Sequence, residues 1–356
     1  MSALALTACG VIGDGSGNSV AAKKGNDIRV GLLLPDRDTA RYEKFDYPLI
    51  RKEVASVTHN DGEVVYANAG ADVDKQSRQF QQMIDDKVDI VLVDALDAKA
   101  IAPWVQKAKD VGIPVIAYDR LAQGPIDAYV SHDNEFVGEV QGRSIVEVLG
   151  SKAATSKKVV MINGAPDDPN AVLVKKGALG ELEGKVNIVA SYDINDWLPS
   201  VAKAKMKKAL QSVGLSNVAA VYSANDGMAG AVIDALKEAG ATRVPPVTGQ
   251  DADLAAVQRV VSGEQYMTVY KSFLLEATGA ADLAVAKVKG RGIEFDALTP
   301  DKVDSPTARN IPSMLVPVVA LTKGNIKDTV IAEGVYTVKD ICTPKYEADC
   351  AAIGLK

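Results

Sequence analysis

Histidine is almost missing from this chain: there are two in 356 residues, His59 and His132. His59 lies in the turn-like "THNDG" and reads as solvated. His132, in "VSHDN" after a strand-like run, reads as a structural residue. No nucleophile, base and acid can be assembled around either, and neither G-x-S-x-G nor GxxxxGK[ST] occurs. The glycines of "GDGSGN" at 13–18 follow no strand, so they do not make a nucleotide-binding fingerprint. A basic excess is lacking as well: 40 Lys and Arg stand against 46 Asp and Glu, a net charge of −6. No basic stripe is available to neutralise a phosphate backbone, which argues against nucleic acid as a partner. Apolar runs such as "MLVPVVAL" are far shorter than the roughly 20 residues of a membrane-spanning helix. No stretch carries the spaced oxygen ligands of a calcium loop, and no metal or cofactor is expected.

Cysteine is scarce too, with three in the chain. Cys342 and Cys350 enclose "TPKYEAD"; their spacing lacks the paired look of a zinc site and no histidine is near. They read as a disulfide closing a small loop, two buried thiols being the alternative. Cys9 closes "LTAC", which resembles the lipobox of bacterial lipoproteins, whose cysteine becomes the lipidated N-terminus. A Gly/Ser-rich stretch, "GVIGDGSGNSVAAKKGND", follows it as a tether. Only eight residues precede Cys9, without a basic n-region, so the start reads as a shortened signal. Lipid and disulfide together point to an extracytoplasmic setting.

What the chain does have is alternation. "IRVGLLLP", "EVVYANA", "VDIVLVDA" and "IPVIAYD" are strand-length runs separated by helical periodicity over 41–57, 73–86 and 98–111. The series restarts with "KKVVMING", the buried-looking "VNIVASYD", "VAAVYSAND" and "PPVTGQD", with helices near 170–182, 200–213 and 227–239. A helix over 273–289 and shorter runs such as "MLVPVVALT" follow. Strands apolar on both faces and alternating with helices predict an α/β fold: two doubly wound parallel-sheet lobes.

Open sheets of this kind bind ligands at the carboxyl ends of their strands. Those ends carry Asp36, Arg41 and Tyr42, then Asp94, Asp119 and Arg120. In the second block they carry Asp168, Asn170, Trp197, Asn225, Asp251 and Lys271. An Asp or Asn after a strand is often no more than a helix N-cap. The concentration of acceptors and donors at so many ends nevertheless suits a ligand dense in hydroxyls. Trp197 sits in "NDWLPS", a polar loop; it either tucks into a core or forms a cleft wall that stacks on the apolar face of a pyranose.

"AYDR", "SHDN", "NDWLP", "GQDADL", "MTVYKS" and "IKDTVI" occur in that order, and together they resemble the bacterial D-xylose-binding proteins. These are periplasmic sugar-binding proteins of the ribose/galactose type, with the periplasmic binding protein-like I fold. The resemblance runs from about residue 28 to 336. It implies a monomeric receptor that binds a monosaccharide, delivers it to an ABC permease and in some cases signals to a chemoreceptor. The implied contacts are Arg41, Tyr42, Arg120, Asp168, Asn170, Trp197, Asn225, Asp251 and Lys271. Two positions depart from the family: Tyr42 stands where it has tryptophan, and "PDDPN" replaces "PVDNN". Another aldose, such as glucose or arabinose, therefore stays open. The family's three crossovers would fall near 132–134, 270–272 and 311–314. The first lobe would then span 27–133 and 272–312, and the second 134–271 and 313–356, with 1–26 as signal remnant and tether. A sugar-responsive regulator would need a DNA-binding unit before residue 28, where only the Gly/Ser stretch lies. A sugar-converting enzyme would need a nucleophile or metal that these residues lack.

Overall fold

The computed structural model describes residues 24–39, 41–150 and 157–355. Cys9 and most of its tether lie outside them. The apolar runs become β1 (Arg29–Leu34), β2 (Glu63–Asn68), β3 (Ile90–Val93), β4 (Val115–Tyr118) and β5 (Ala128–His132). Between them lie α1 (Tyr47–Val57), α2 (Val73–Asp85) and α3 (Ala102–Asp110). The helix predicted from residue 41 begins instead as a π-helical turn, Tyr42–Asp46, with both end residues buried. In β1 every residue after Arg29 is buried, because helices cover the sheet on both faces.

The second block holds α4 (Asn134–Leu149), β6 (Lys158–Asn163), α5 (Pro169–Leu182), β7 (Asn187–Asp193), α6 (Pro199–Val213) and β8 (Val218–Ser223). It continues with α7 (Asp226–Glu238), α8 (Leu254–Ser262) and β9 (Thr268–Lys271). Two expectations fail here. β7 pairs with β6 alone and has no fully buried residue, so it is an edge strand and not a buried one. "PPVTGQD" makes only two isolated bridges, Val221 to Val247 and Gln250 to Val269. Pro245 and Pro246 have no amide hydrogen to give to a ladder.

The chain then supplies α9 (Phe273–Val288), α10 (Gly292–Leu298), β10 (Asp301–Val303), β11 (Ile311–Val316) and β12 (Val318–Leu321). The first sheet has the order β10-β11-β5-β4-β3-β1-β2, parallel except at β10. In the second block β7-β6-β8 are parallel, and β9 pairs antiparallel with β12. The chain thus passes between the two parts after His132, after Lys271 and at Pro317. The last point lies beyond the expected 311–314, because Ser313 to Val316 complete the ladder to Tyr129 to His132.

Helix placement follows from close backbone contact. A Cβ on Gly177 would lie 1.9 Å from the Glu135 carbonyl, so α5 approaches α4 as only glycine permits. That contact holds the middle of α5 against the first turns of α4. The C-terminal segment packs through Tyr336, Ile341 and Cys350 on α8. There Cys342 and Cys350 are bonded, and closing so short a loop contributes roughly 2–3 kcal/mol. Among the described residues no helix is long and apolar enough to cross a membrane.

Candidate ligand-binding site

The carboxyl ends of the two sets of strands face each other, and all nine implied contact residues line one cavity between them. Thr39, Asp119 and Gln250 complete its wall. The space between these side chains, open solvent included, is about 360 Å³. Arg41, Tyr42 and Arg120 reach it from the first part. Asp168, Asn170, Trp197, Asn225, Asp251 and Lys271 reach it from the second.

Two of the acids and amides do cap helices, and they line the cavity as well. Asp168 precedes Pro169, and its Oδ1 accepts the Asn170 amide at 2.8 Å, starting α5. Its other oxygen, Oδ2, accepts from Trp197 Nε1 at 3.0 Å and pairs with Arg120 Nε at 3.1 Å. Asn225 Oδ1 accepts the Met228 amide at 3.0 Å, starting α7. Capping spends one atom of each side chain, so the cap and the cavity wall are compatible roles. Burial pushes the Asp168 carboxyl above its ordinary range, with Arg120 pulling the other way.

Trp197 is partly buried, and its loop needs left-handed backbone at Asp196 and Trp197 itself, both with φ of 55°. The indole lies over Gly164, where a Cβ would come within 2.2 Å of the ring. The ring takes both roles expected for "NDWLPS": it packs partly buried against the core of the second part and lines the cavity, with its N–H donated to Asp168.

On the first side the guanidinium of Arg41 is buried. Asp46 grips it bidentately, at 3.0 Å to Nε and 2.6 Å to a terminal nitrogen. Its face covers the Phe273 ring at 4.7 Å. The other terminal nitrogen has no hydrogen-bond partner among the described residues and lies 3.6 Å from Asp119 Oδ1. Tyr42 donates to Asp119 Oδ2 at 3.3 Å, and Asn170 Nδ2 lies 3.3 Å from Oδ1. Burial alone would raise the Asp119 carboxyl. Arg41, Lys271 and Arg120 outweigh it and hold Asp119 well below the carboxylate range. Lys271 pairs with Asp251 at 3.0 Å, which keeps its ammonium charged against the opposing pull of burial.

Thr39, Asp119 and Gln250 belong to the wall but were not among the expected contacts. Asp119 and Gln250 are immediate neighbours of Arg120 and Asp251. A regular strand would send such neighbours to opposite faces. Left-handed backbone at Asp119 (φ 56°) and Asp251 (φ 97°) breaks that alternation, so both members of each pair reach the cavity. For Asp119 the available signal was its place at a polar strand end next to Arg120. His132 is buried, with Nδ1 3.5 Å from Glu276 Oε1.

A two-part α/β chain with a charged cavity at the facing strand ends matches the sequence family of the periplasmic binding protein domain over residues 30–292. The chain belongs to that family. This periplasmic binding protein is 34% identical to the D-xylose-binding periplasmic protein of Haemophilus influenzae, across 88% of its length and 92% of the relative's. It is 31% identical to the protein of the same name in Escherichia coli, across 90% and 94%. Among solved structures, an ABC transporter solute-binding protein from Clostridium phytofermentans with bound β-D-glucose superposes with a TM-score of 0.80. That likeness is at 27% identity and covers 88% of this chain and 99% of the other.

Proposed function

We propose that this chain is the extracytoplasmic sugar-binding component of an ABC importer, taking a monosaccharide, D-xylose first among aldoses, in the cavity between its lobes. The observation that carries this reading is the composition of the cavity wall. Fixed cations (Arg41, Arg120, Lys271) alternate with fixed acceptors (Asp119, Asp168, Asp251), and Trp197 and Tyr42 supply aromatic rings. A ring bearing hydroxyls at several carbons needs both a donor and an acceptor at each. Buried polar atoms ordinarily have partners, yet an Arg41 terminal nitrogen and Gln250 Oε1 have none among the described residues. Sugar hydroxyls would satisfy both.

Contacts come from both lobes, so the sugar favours whichever lobe arrangement completes them, and the permease reads that arrangement as loaded. In this reading the chain carries its ligand without converting it. D-glucose is the second reading: β-D-glucose is bound in the Clostridium phytofermentans neighbour, and Tyr42 is a smaller stacking ring than tryptophan. Calorimetric titration of the purified chain with xylose, glucose, arabinose, ribose and galactose separates the two. Saturable binding of xylose, tighter than glucose, is expected; a tighter glucose reverses the order. Silence with all five sinks the reading.

We place the chain at the membrane through lipid on Cys9, on the strength of "LTAC" and the tether after it. Mass spectrometry of the mature N-terminus in a bacterial host should find Cys9 first and diacylated. An unmodified Cys9 inside a longer peptide would contradict the anchor.

A further inference from the structure

We propose that Glu276 is a positioning residue for ligand binding: by gripping the Arg41 amino group that Asp46 also holds, it orients the other amino group at the cavity and ties the guanidinium to two of the lobe crossovers. This deepens the carrier reading and rests on it. Arg41 enters a buried cluster in which Asp46 takes Nε and one terminal nitrogen, and Glu276 Oε2 takes that same nitrogen from the opposite side. Tyr118 donates to Asp46, fixing the carboxylate that grips Arg41. With Asp46 and Glu276 both wholly buried, the guanidinium plane has one orientation, and its other amino group is left for the cavity.

Glu276 does not touch the cavity. It sits in the first turn of α9, just after the second crossover, and its N–H donates to the Ser272 carbonyl at 3.1 Å. Its remaining oxygen, Oε1, lies 3.5 Å from His132 Nδ1, at the last residue of β5, where the chain first crosses. Burial by itself would raise the Glu276 carboxyl, but Arg41 and His132 hold it below its ordinary value. One buried anion therefore faces the binding arginine on one side and the first crossover on the other, while standing at the second. Coupling between sites needs such a shared contiguous element.

A double-mutant cycle in the full chain tests this, with D-xylose and D-glucose as calorimetric probes and thermal unfolding as the control for folding. Glu276→Gln, which keeps shape and removes charge, should weaken binding about tenfold. In an Arg41→Gln background the same change should cost less than twofold, since the group it positions is gone. Losses that multiply, or a single-variant effect under twofold, overturn the assignment and leave Glu276 a structural residue. If Glu276→Gln alone does not fold, recovery of folding in the double variant, which removes cation and anion together, supports the pairing; failure of both to fold overturns it. If the wild-type chain binds neither sugar, the carrier reading fails and this assignment falls with it.

Discussion

Asp119→Asn should weaken sugar binding by about a hundredfold or more while leaving the backbone in place. Asparagine tolerates the left-handed conformation that Asp119 adopts, so the turn survives the change. The Asp119 carbonyl keeps its three donors, Ser131 Oγ at 2.7 Å and Tyr129 and Asn170 at 2.9 Å. What disappears is the negative charge set among Arg41, Arg120 and Lys271. Removing one member of a buried charge pair costs roughly 2–5 kcal/mol, much of it from the partner left uncompensated. At 1.4 kcal/mol per factor of ten, about 3 kcal/mol is a hundredfold. Stability should fall too, in a pH-dependent way. A carboxyl held below its unfolded value contributes stability that is present above that value and lost as acid protonates the folded form. The gap in melting temperature between wild type and variant should therefore be widest near neutrality and close in acid. Calorimetry reads the first effect and thermal scans the second; a dissociation constant within threefold of wild type would remove Asp119 from the site.

Gly164→Ala should cost about thirtyfold in affinity, though it adds a single methyl group outside the ligand's reach. The new Cβ would lie 2.2 and 2.3 Å from two carbons of the Trp197 ring, against a normal separation of roughly 3.5–4.0 Å. The ring must tilt away, which breaks its bond to Asp168 and shifts the stacking wall. Losing a desolvated aromatic anchor commonly costs about 2 kcal/mol, or thirtyfold. Because Trp197 is only partly buried, global stability should change by less than about 1 kcal/mol. Ligand titration with denaturant unfolding beside it separates the effects. Wild-type affinity in the variant would show that the indole is not a binding wall.

How much of this was legible depended on distance along the chain. The α/β alternation was readable because apolar periodicity is a property of adjacent residues. Where it misled, the cause was a neighbour in space: "VNIVASYD" looks buried, yet β7 lies at a sheet edge with one partner. The nine contacts came from motifs at strand ends, and the fold brings all of them to one cavity. Asp119 was legible as a polar strand end but not as one of the nine contacts, and Gln250 was not legible at all, because both reach the cavity through left-handed turns that residue type alone does not announce.

Sequence alone determined the strands and helices, the polar strand ends, the paired cysteines and the loop that carries Trp197. Each is a matter of residues within about ten positions of one another. Only the tertiary structure decided that the chain last crosses at Pro317, that Asp168 caps a helix and anchors an indole at once, and that Arg41 points its second amino group into the cavity beside Asp119. The reason is the cost of burying charge. Arg41 is tolerable inside because two buried carboxylates face it: Asp46, five residues on, and Glu276, 235 residues further on, and only the second leaves no local trace in the sequence.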